Sequence, residues 1–341
     1  MVIDTNVYWL PNELFTNKKL TDKFLRTVPK AYDVSAHAKR DENGQLAISI
    51  EKPLGSENLN YFENDYHLDK QLKDMDEAKV DQAVLKLPGT QEWLDLDLCR
   101  AFNTAVAKRV EESQGRMVAL AVVPPYGDKE SLDELDRCIN ELHFHGVQIS
   151  AHYGNHYLDD PMFRKFFEHV NDLNIPVYVH HTPVPVDYQS LCDYNNLRRS
   201  FGRCADQIIA ISRELFSGMF KDLPNLKMIH SMLGGGYFTF TNMFFPTDSG
   251  HGRFQTDNGT IKSYLKNNIY FEMSHAQPWG KQQLELAVNV LGADHVIYGS
   301  SYPVKKVWLT DGPDFVRQLN ISDQDKKLIL SENAKRLYRM S

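Results

Sequence analysis

LDKQLKDMDEAKVDQAVLKLP, residues 68–88, decides the fold of this chain. Its first half spaces four apolar residues three or four positions apart, as on one face of a helix: Leu68, Leu72, Met75 and Ala78. Its second half, residues 82–88, is a short and mostly apolar run that ends at a proline, which is typical of a buried strand. We therefore predict a helix followed directly by a strand.

The same helix and strand unit recurs along the rest of the sequence. Helices are predicted over 98–112, 129–143, 161–173 and 280–291, with a long segment at 188–223 and two terminal helices. Strands are predicted near residues 3, 84, 120, 149, 179, 229, 271 and 298. Eight alternating units in 341 residues predict one closed (β/α)8 TIM barrel over 1–341. A doubly wound sheet with a helical lid is the alternative, but no glycine-rich nucleotide fingerprint follows the first strand.

An insertion interrupts this alternation between the first two strands. Residues 12–66 are polar and irregular, with a hairpin signal at Asn43-Gly44 before the alternating run 46–50. We interpret 12–66 as an insertion that caps one mouth of the barrel.

Composition excludes several classes of partner. The net charge of -7, with 38 scattered basic residues, argues against nucleic acid and favours a small molecule or a protein. The four cysteines lack the spacing of a zinc site or a disulfide framework. The longest apolar stretch, 117–125, is too short to span a bilayer, so we expect a cytoplasmic protein without membrane contact.

In a TIM barrel the reactive groups follow the carboxyl ends of the strands. Polar or reactive side chains end several of the predicted strands: Asn6, Tyr8, His152, His180, Met232, His275 and Ser301. Successive residues of a strand face opposite sides, so we expect His180 alone of the pair His180-His181 to face the barrel mouth.

Motifs in order along the chain carry a family resemblance. They include Met75-Asp76-Glu77-Ala78, the strand that ends at His180, Gly299-Ser300-Ser301-Tyr302-Pro303 and Glu332-Asn333-Ala334. With these motifs the chain resembles the amidohydrolase-related (amidohydrolase 2) family, which includes aminocarboxymuconate-semialdehyde decarboxylase and γ-resorcylate decarboxylase. The resemblance implies an amidohydrolase superfamily barrel and a small aromatic or unsaturated carboxylic acid as substrate.

The resemblance also implies where a metal ion would bind, and most of those positions have changed. Members of the family place a divalent ion, commonly zinc, on two histidines of strand one, a histidine of strand five and an aspartate after strand eight, with a further histidine after strand six. Here these positions align with Asn6, Tyr8, His180, Met232 and Ser301, so His180 alone is kept. Amide, hydroxyl and thioether groups bind zinc poorly. We expect no tightly bound metal and no cofactor.

Two alternatives for a metal remain open. His230 lies two residues before Met232 and could replace the histidine of strand six after a change of register. A relocated zinc site could use His152, His180 and His275.

The first functional hypothesis is a metal-independent enzyme. His180 or His275 would serve as acid or base, Tyr8 would polarise a substrate oxygen and Arg199 would bind the carboxylate. The run Arg198, Arg199 and Arg203 could instead be an exposed helix face. Four further residues would contact the substrate: Asn6, His152, Met232 and Ser301. A decarboxylase-like C–C lyase is favoured over a hydrolase because nothing evident activates water.

The second hypothesis is a catalytically silent paralogue. Loss of metal ligands with the barrel retained fits a ligand-binding or scaffolding subunit that pairs with a metal-bearing relative. We expect either a homodimer or such a heteromer.

Overall fold

The computed structural model describes residues 1–28, 34–51, 57–182, 186, 189–191, 194–246 and 258–340. Within these residues the strands, in chain order, are β1 (Ile3–Tyr8), β2 (Ser35–Arg40), β3 (Leu46–Glu51), β4 (Glu57–Phe62), β5 (Gln82–Lys86), β6 (Met117–Ala119), β7 (Ala121–Val122), β8 (Val147–Ser150), β9 (His152–Tyr153), β10 (His156–Tyr157), β11 (Pro176–His180), β12 (Lys227–His230), β13 (Ile269–Glu272) and β14 (Val296–Ile297).

The α-helices of the described residues surround these strands. They are Glu13–Thr16, Lys18–Thr27, Leu68–Glu77, Leu96–Glu112, Lys129–Asp136, Arg164–Leu173, Arg203–Phe216, Met219–Asp222, Thr241–Phe244, Asn258–Asn268, Lys281–Leu291, Lys306–Thr310, Gly312–Arg317, Asp323–Lys327 and Asn333–Tyr338. The predicted helix 129–143 is shorter than expected and continues as a π turn, Arg137–Glu141. The two predicted terminal helices are four short ones.

Parallel strands form the barrel that the sequence predicted. β1, β5 and β6 are hydrogen-bonded in that order, and β7, β8, β11, β12, β13 and β14 continue the ring. β6 and β7 are two parts of one strand, separated by Leu120. Val7 pairs with Tyr302, and the amide of Thr5 donates to the oxygen of Tyr298, which joins the last strand to the first. The eight predicted strands therefore close into a (β/α)8 barrel.

One extra residue in β1 determines where its side chains point. Asp4 pairs with Ala83 and Val7 with Leu85, so three steps along β1 match two along β5. Such a bulge turns the side chains beyond it by one position. Tyr8 then pairs with Lys86.

The amino-terminal half of the barrel interior is an apolar plug. Buried side chains from successive strands meet there with the helix Asn333–Tyr338, which closes this end: Ile3, Val84, Tyr178, Ile229 and Ile297. Each such side chain contributes about 1.5–3 kcal/mol when it is fully buried. This end of the barrel is a packed core and holds no ligand site.

The segment between β1 and β5 is more regular than its composition suggested. β2, β3 and β4 form an antiparallel sheet of their own, and the predicted hairpin is β2 with β3. The third strand, β4, was not predicted. The Tyr61 hydroxyl of β4 donates to the oxygen of Pro88, which fixes this sheet against the mouth of the barrel. None of the described helices is long and apolar enough to cross a membrane.

Candidate functional site

A cavity of about 280 Å³ lies where the carboxyl ends of the strands meet the sheet β2–β3–β4. The barrel contributes Tyr8 and His180 to its wall, and β4 contributes Tyr61. The segment after β11 adds three cationic or basic side chains, His181, Arg199 and Arg203. A cavity of this size at the reactive end of a barrel suits a small ligand.

Tyr8 and His180 form a hydrogen-bonded pair in this cavity. Tyr8 Oη lies 2.9 Å from His180 Nε2. His180 Nδ1 contacts the backbone oxygen of His181, and since a carbonyl only accepts, Nδ1 carries the imidazole proton. Nε2 of the neutral ring therefore accepts the Tyr8 proton. The expected donation from Tyr8 to a substrate oxygen requires its hydroxyl to rotate away from His180.

Burial sets the protonation of this pair. Burial lowers the pKa of His180 to about 3, and the positive charges of Lys86 and Arg203 act in the same direction. Burial also raises the pKa of Tyr8 above its ordinary value. At neutral pH both side chains are uncharged, and the Tyr8 proton in their hydrogen bond stays on Tyr8, from which it can be donated to a ligand.

The structure corrects the expectation that His180 alone faces the mouth. The rings of His180 and His181 stack with centroids 4.1 Å apart, and both line the cavity. His181 follows the last residue of β11, so the alternation of a strand no longer applies to it. The His181 amide donates to Ser231 Oγ, which holds the turn in place.

Two arginines give the cavity a positive wall. Burial lowers the pKa of Arg203 to about 10, and the charge of Arg199 adds to this effect. Arg203 still carries its charge at neutral pH. Arg199 is exposed, while Arg198, the third member of the run, is buried and donates to Asn195 Oδ1. Of the run Arg198, Arg199 and Arg203 that the sequence singled out, Arg199 and Arg203 line the cavity.

A layer of buried charges lies beneath Tyr8 and His180. Lys86 Nζ lies 3.0 Å from the centroid of the Tyr178 ring. The Tyr178 hydroxyl donates to Glu272 Oε2 over 2.8 Å, and the Asn6 amide donates to the same oxygen over 3.1 Å. Burial lowers the pKa of Lys86 to about 7, while Glu272 and Asp4 act in the opposite direction. Burial also raises the pKa of Glu272 above its ordinary value.

This layer was missed from the sequence, although a signal was present. Lys86 is a single cation in the apolar run 83–87, in phase with Val84, whose side chain faces the barrel interior. Glu272 ends a strand of otherwise apolar or aromatic residues. A charged residue on the inward face of a buried strand is costly and marks a functional site more often than a neutral one.

Asn6 and Ser301 belong to this buried layer and do not line the cavity. Asn6 Nδ2 donates to Ser301 Oγ over 3.2 Å, and Ser301 Oγ donates to the oxygen of Ser274. Direct contact with a substrate, as predicted for both residues, would require a deeper ligand than this cavity accommodates.

His152 lies in a separate cluster. Its Nε2 is 2.8 Å from Thr182 Oγ1 and 3.1 Å from Asp206 Oδ2, and Tyr157 Oη donates to Asp206. Burial disfavours the charged ring, but Asp206 and Glu92 outweigh it and raise the pKa of His152 to about 9. Burial raises the pKa of Glu92 to about 7. The predicted contact of His152 with substrate is replaced by contacts within the protein.

His275 and Met232 also fall outside the cavity lining. His275 stacks on Trp308 with ring centroids 4.2 Å apart. Burial lowers the pKa of His275 to about 4, so it is neutral. Met232 has a left-handed backbone with φ of 54°, and its amide donates to Ser274 Oγ. Neither side chain is placed to act directly on a ligand in this cavity.

His230 cannot replace the missing histidine of strand six. It faces away from the barrel interior towards the helix Arg203–Phe216, where Nδ1 lies 2.7 Å from Gln207 Oε1 and Nε2 lies 2.9 Å from Glu214 Oε2. Its neighbour Ile229 is the residue that faces inward. The proposed change of register is wrong, because strand alternation puts His230 on the outer face.

The residues present do not fit a divalent metal ion. His180 Nε2 is occupied by the Tyr8 hydroxyl, and the Asn6 amide and Ser301 hydroxyl bond other groups. The three histidines of the relocated site belong to separate clusters. No three His, Cys, Asp or Glu side chains converge on a possible ion site within the described part of the chain. Of the two charged groups in the buried layer, Lys86 would repel a cation, and Glu272 Oε2 already accepts from Asn6 and Tyr178.

Comparison with known proteins identifies relatives. The profile of the amidohydrolase family matches residues 53–340. A 2-amino-3-carboxymuconate-6-semialdehyde decarboxylase from Dictyostelium discoideum is 28% identical over 70% of this chain and 66% of its own length. A gamma-resorcylate decarboxylase from a Rhizobium species is 24% identical over 80% of this chain and 87% of its own length. Both names match the resemblance seen in the sequence.

Solved structures share the fold. A 2,6-dihydroxybenzoate decarboxylase from Rhizobium superposes with a TM-score of 0.74 at 20% identity, covering 99% of this chain and 98% of the other. A 5-carboxyvanillate decarboxylase from Novosphingobium aromaticivorans, with manganese and 4-hydroxy-3-methoxy-5-nitrobenzoic acid bound, also has a TM-score of 0.74, at 20% identity, covering 99% and 96%. The predicted amidohydrolase barrel is confirmed.

Proposed function

Because the chain belongs to the amidohydrolase family, we propose that it is a carboxy-lyase of a small aromatic or unsaturated carboxylic acid that works without a tightly bound metal ion. The names of the relatives support the reaction, since they are decarboxylases of such acids. The observation that carries the proposal is the cavity at the barrel mouth, in which the neutral Tyr8–His180 pair faces the guanidinium of Arg203.

The two arginines are placed to bind the carboxylate of the ligand. A guanidinium group donates two parallel hydrogen bonds to a carboxylate, which fixes its orientation as well as its position. Arg203 holds its charge in a partly buried wall, where this attraction is screened less than at the surface. The carboxyl group would then lie beside His181, with the rest of the ligand towards Tyr8.

The Tyr8–His180 pair is placed to move a proton. When the bond between the ring carbon and the carboxyl carbon breaks, carbon dioxide leaves and the electron pair stays on the ring carbon. That carbon must then receive a proton. Tyr8 keeps its proton at neutral pH, because burial raises its pKa, and we assign it as the donor after its hydroxyl rotates from His180. This leaves Tyr8 as a phenolate, which takes a proton from water after the products leave, and the hydroxyl then donates to His180 Nε2 again.

Hydrolysis is disfavoured by the same geometry. A hydrolase must activate water with a metal ion or with a base of suitable pKa. His180, the base nearest the cavity floor, has a pKa of about 3 and accepts a proton weakly. Generating hydroxide would require one of these two groups, whereas breaking a C–C bond requires neither.

Turnover of aromatic acids tests the proposal. The protein would be incubated with 2,6-dihydroxybenzoate and with 5-carboxyvanillate in the presence of EDTA, and carbon dioxide and the decarboxylated phenol would be measured. We expect release of both products from at least one acid. Arg203→Met should raise KM at least tenfold, whereas Arg213→Met, an exposed arginine of the same helix, should leave KM unchanged.

Two results would contradict the proposal. Binding of these acids without any turnover would favour the silent paralogue, and turnover that EDTA abolishes would favour a metal enzyme. The assembly as a homodimer or as a heteromer with a related barrel stays a prediction.

A further inference from the structure

The position of Lys86 is the least expected feature of the barrel. Its side chain is 1% exposed, and Nζ has no hydrogen-bond partner among the described residues. An apolar side chain would fill the same place in the strand without the cost of removing an ammonium group from water. A buried amine with unused donors therefore calls for a function.

The surroundings of Lys86 are built to hold a charge. Its ammonium group lies over the face of Tyr178, an arrangement that stabilises a cation. The same tyrosine bonds Glu272, whose carboxylate also accepts from Asn6 Nδ2, from the Ser274 amide and from Ser274 Oγ. Four donors keep this carboxylate in one place, and Tyr178 and the Ser274 amide oppose the rise of its pKa that burial causes.

Gly299 supplies the space for this carboxylate. A Cβ at residue 299 would come within 1.9 Å of Glu272 Oε1 and 2.7 Å of the Asn6 Cβ. Any other residue at this position would displace Glu272 or Asn6. The backbone of the last strand is therefore shaped around the buried carboxylate.

The position of Lys86 and Glu272 relative to the cavity gives these two side chains a part in the chemistry. Lys86 is the register partner of Tyr8 on the neighbouring strand, and its charge acts on His180, which lies on the same inward face as Tyr178. The ammonium group therefore belongs to the strand next to Tyr8 and lies close enough to act on the charge state of His180. Positive potential from below reaches a ligand through side chains that water does not screen.

We propose that Lys86 is a positioning residue whose ammonium group supplies positive charge to this site, stabilising an anionic oxygen of the ligand above Tyr8 and His180. In this role a buried side-chain ammonium does what a metal ion does in other barrels, and Glu272 holds it in place. The inference rests on the proposed function, because that function puts the ligand in the mouth cavity.

A nitrophenol carboxylate reports this charge directly. 4-Hydroxy-3-methoxy-5-nitrobenzoic acid changes colour when its phenol ionises, so its absorbance gives the pKa of the bound phenol at saturating protein. For unit charges about 7 Å apart in a medium of effective dielectric about 20, one charge shifts the pKa of the other by about one unit or more. We expect the folded protein to lower the pKa of the bound probe by about that much.

Two variants of the same residue distinguish charge from structure. Lys86→Met removes the cation and should raise the pKa of the bound probe by about one unit. Lys86→Arg changes the shape of the side chain but keeps the cation, so the pKa of the bound probe should stay near that in the unaltered protein. Lys305→Met, an exposed lysine near the mouth, is the control and should change it little. A purely structural role would move both Lys86 variants in the same direction or in neither.

Each outcome of this experiment either supports or overturns the proposal. A raised pKa in Lys86→Met with an unchanged pKa in Lys86→Arg supports the proposal, and probe binding with no shift in Lys86→Met overturns it while leaving the proposed function standing. If neither variant folds, the intact protein decides, because a bound probe whose pKa is not below that of the free probe overturns the proposal. Failure of the intact protein to bind the probe overturns this inference and the proposed ligand site together.

Discussion

Two buried histidines at the ends of adjacent strands have opposite charge states. His180 ends β11 and contacts a neutral tyrosine. Burial lowers its pKa to about 3, and two nearby cations act in the same direction, so it stays uncharged. His152 follows β8, lies beside the carboxylate of Asp206 and has its pKa raised to about 9, so it is charged at neutral pH. The sequence presents both as a histidine at a strand end. Their partners determine that one is suited to proton transfer and the other to structure.

The largest effect is expected from His180→Ala. Loss of the group that orients Tyr8, the assigned acid, should lower kcat by up to about 10²–10⁴-fold, the usual contribution of a positioned acid or base. Steady-state kinetics with a turned-over acid measures this. His169→Ala, on the outer helix Arg164–Leu173, is the control. Unchanged turnover in His180→Ala would remove this residue from the mechanism.

His152→Asn should act on stability instead. It leaves the buried Asp206 carboxylate without its charged partner, which costs about 3–5 kcal/mol of unfolding free energy. Urea unfolding followed by circular dichroism measures this loss. The kcat per folded molecule should stay within a fewfold of the unaltered protein. A loss below about 1 kcal/mol would show that the cluster of His152 is not a structural ion pair.

The two histidines should also give stability opposite dependences on pH. The folded pKa of His152 lies above the unfolded value of about 6.5, so its contribution is complete below pH 6.5 and is lost as the pH rises through about 9. The folded pKa of His180 lies below 6.5, so its contribution is complete above that pH and is lost as the pH falls towards about 3.

Unfolding measured from pH 4 to pH 10 tests this dependence. Each histidine should give a slope of up to about 1.4 kcal/mol per pH unit. His152→Asn should flatten the alkaline limb, and His180→Gln should flatten the acid limb. An exchange of these effects between the two variants would contradict the assigned charge states.

The smallest effect is expected from Glu92→Gln. Glu92 Oε1 lies 3.9 Å from His152 Nδ1, farther than Asp206 lies from Nε2, and burial raises the pKa of Glu92 to about 7. Its removal should lower the pKa of His152 by less than about one unit. Titration of the imidazole by nuclear magnetic resonance measures this shift. A larger fall would make Glu92 the main partner of His152.

The barrel could be predicted because its signals are local. Apolar runs with helical spacing between them, as in 68–88, specify each unit, and eight such units close in one way. The strand Glu57–Phe62 was missed because its alternation is mixed with polar residues and its partner strand provides the pairing. The apolar spacing predicted two terminal helices, but it did not show that they are divided into four short ones.

The site was predictable only in part, because it depends on the direction in which each side chain points and on how deep that side chain lies in the barrel. Tyr8, His180 and Arg199 line the cavity as expected. His152 and His275 end strands too, but partners on distant segments, Asp206 and Trp308, draw them elsewhere. The bulge in β1 sets the inward direction of Asn6 and Tyr8, and no pattern in the sequence predicts this bulge.

Metal content tests the central claim, that side chains rather than a divalent ion form the reactive centre of this barrel. The protein would be expressed in rich medium, purified without chelator, and analysed for zinc, manganese and iron by mass spectrometry alongside an assay of turnover. The account predicts less than about a tenth of an equivalent of any of these metals, with turnover unaffected by EDTA, because zinc requires at least three suitable donors. Near-stoichiometric metal, whose removal abolishes turnover and whose return restores it, would contradict the account.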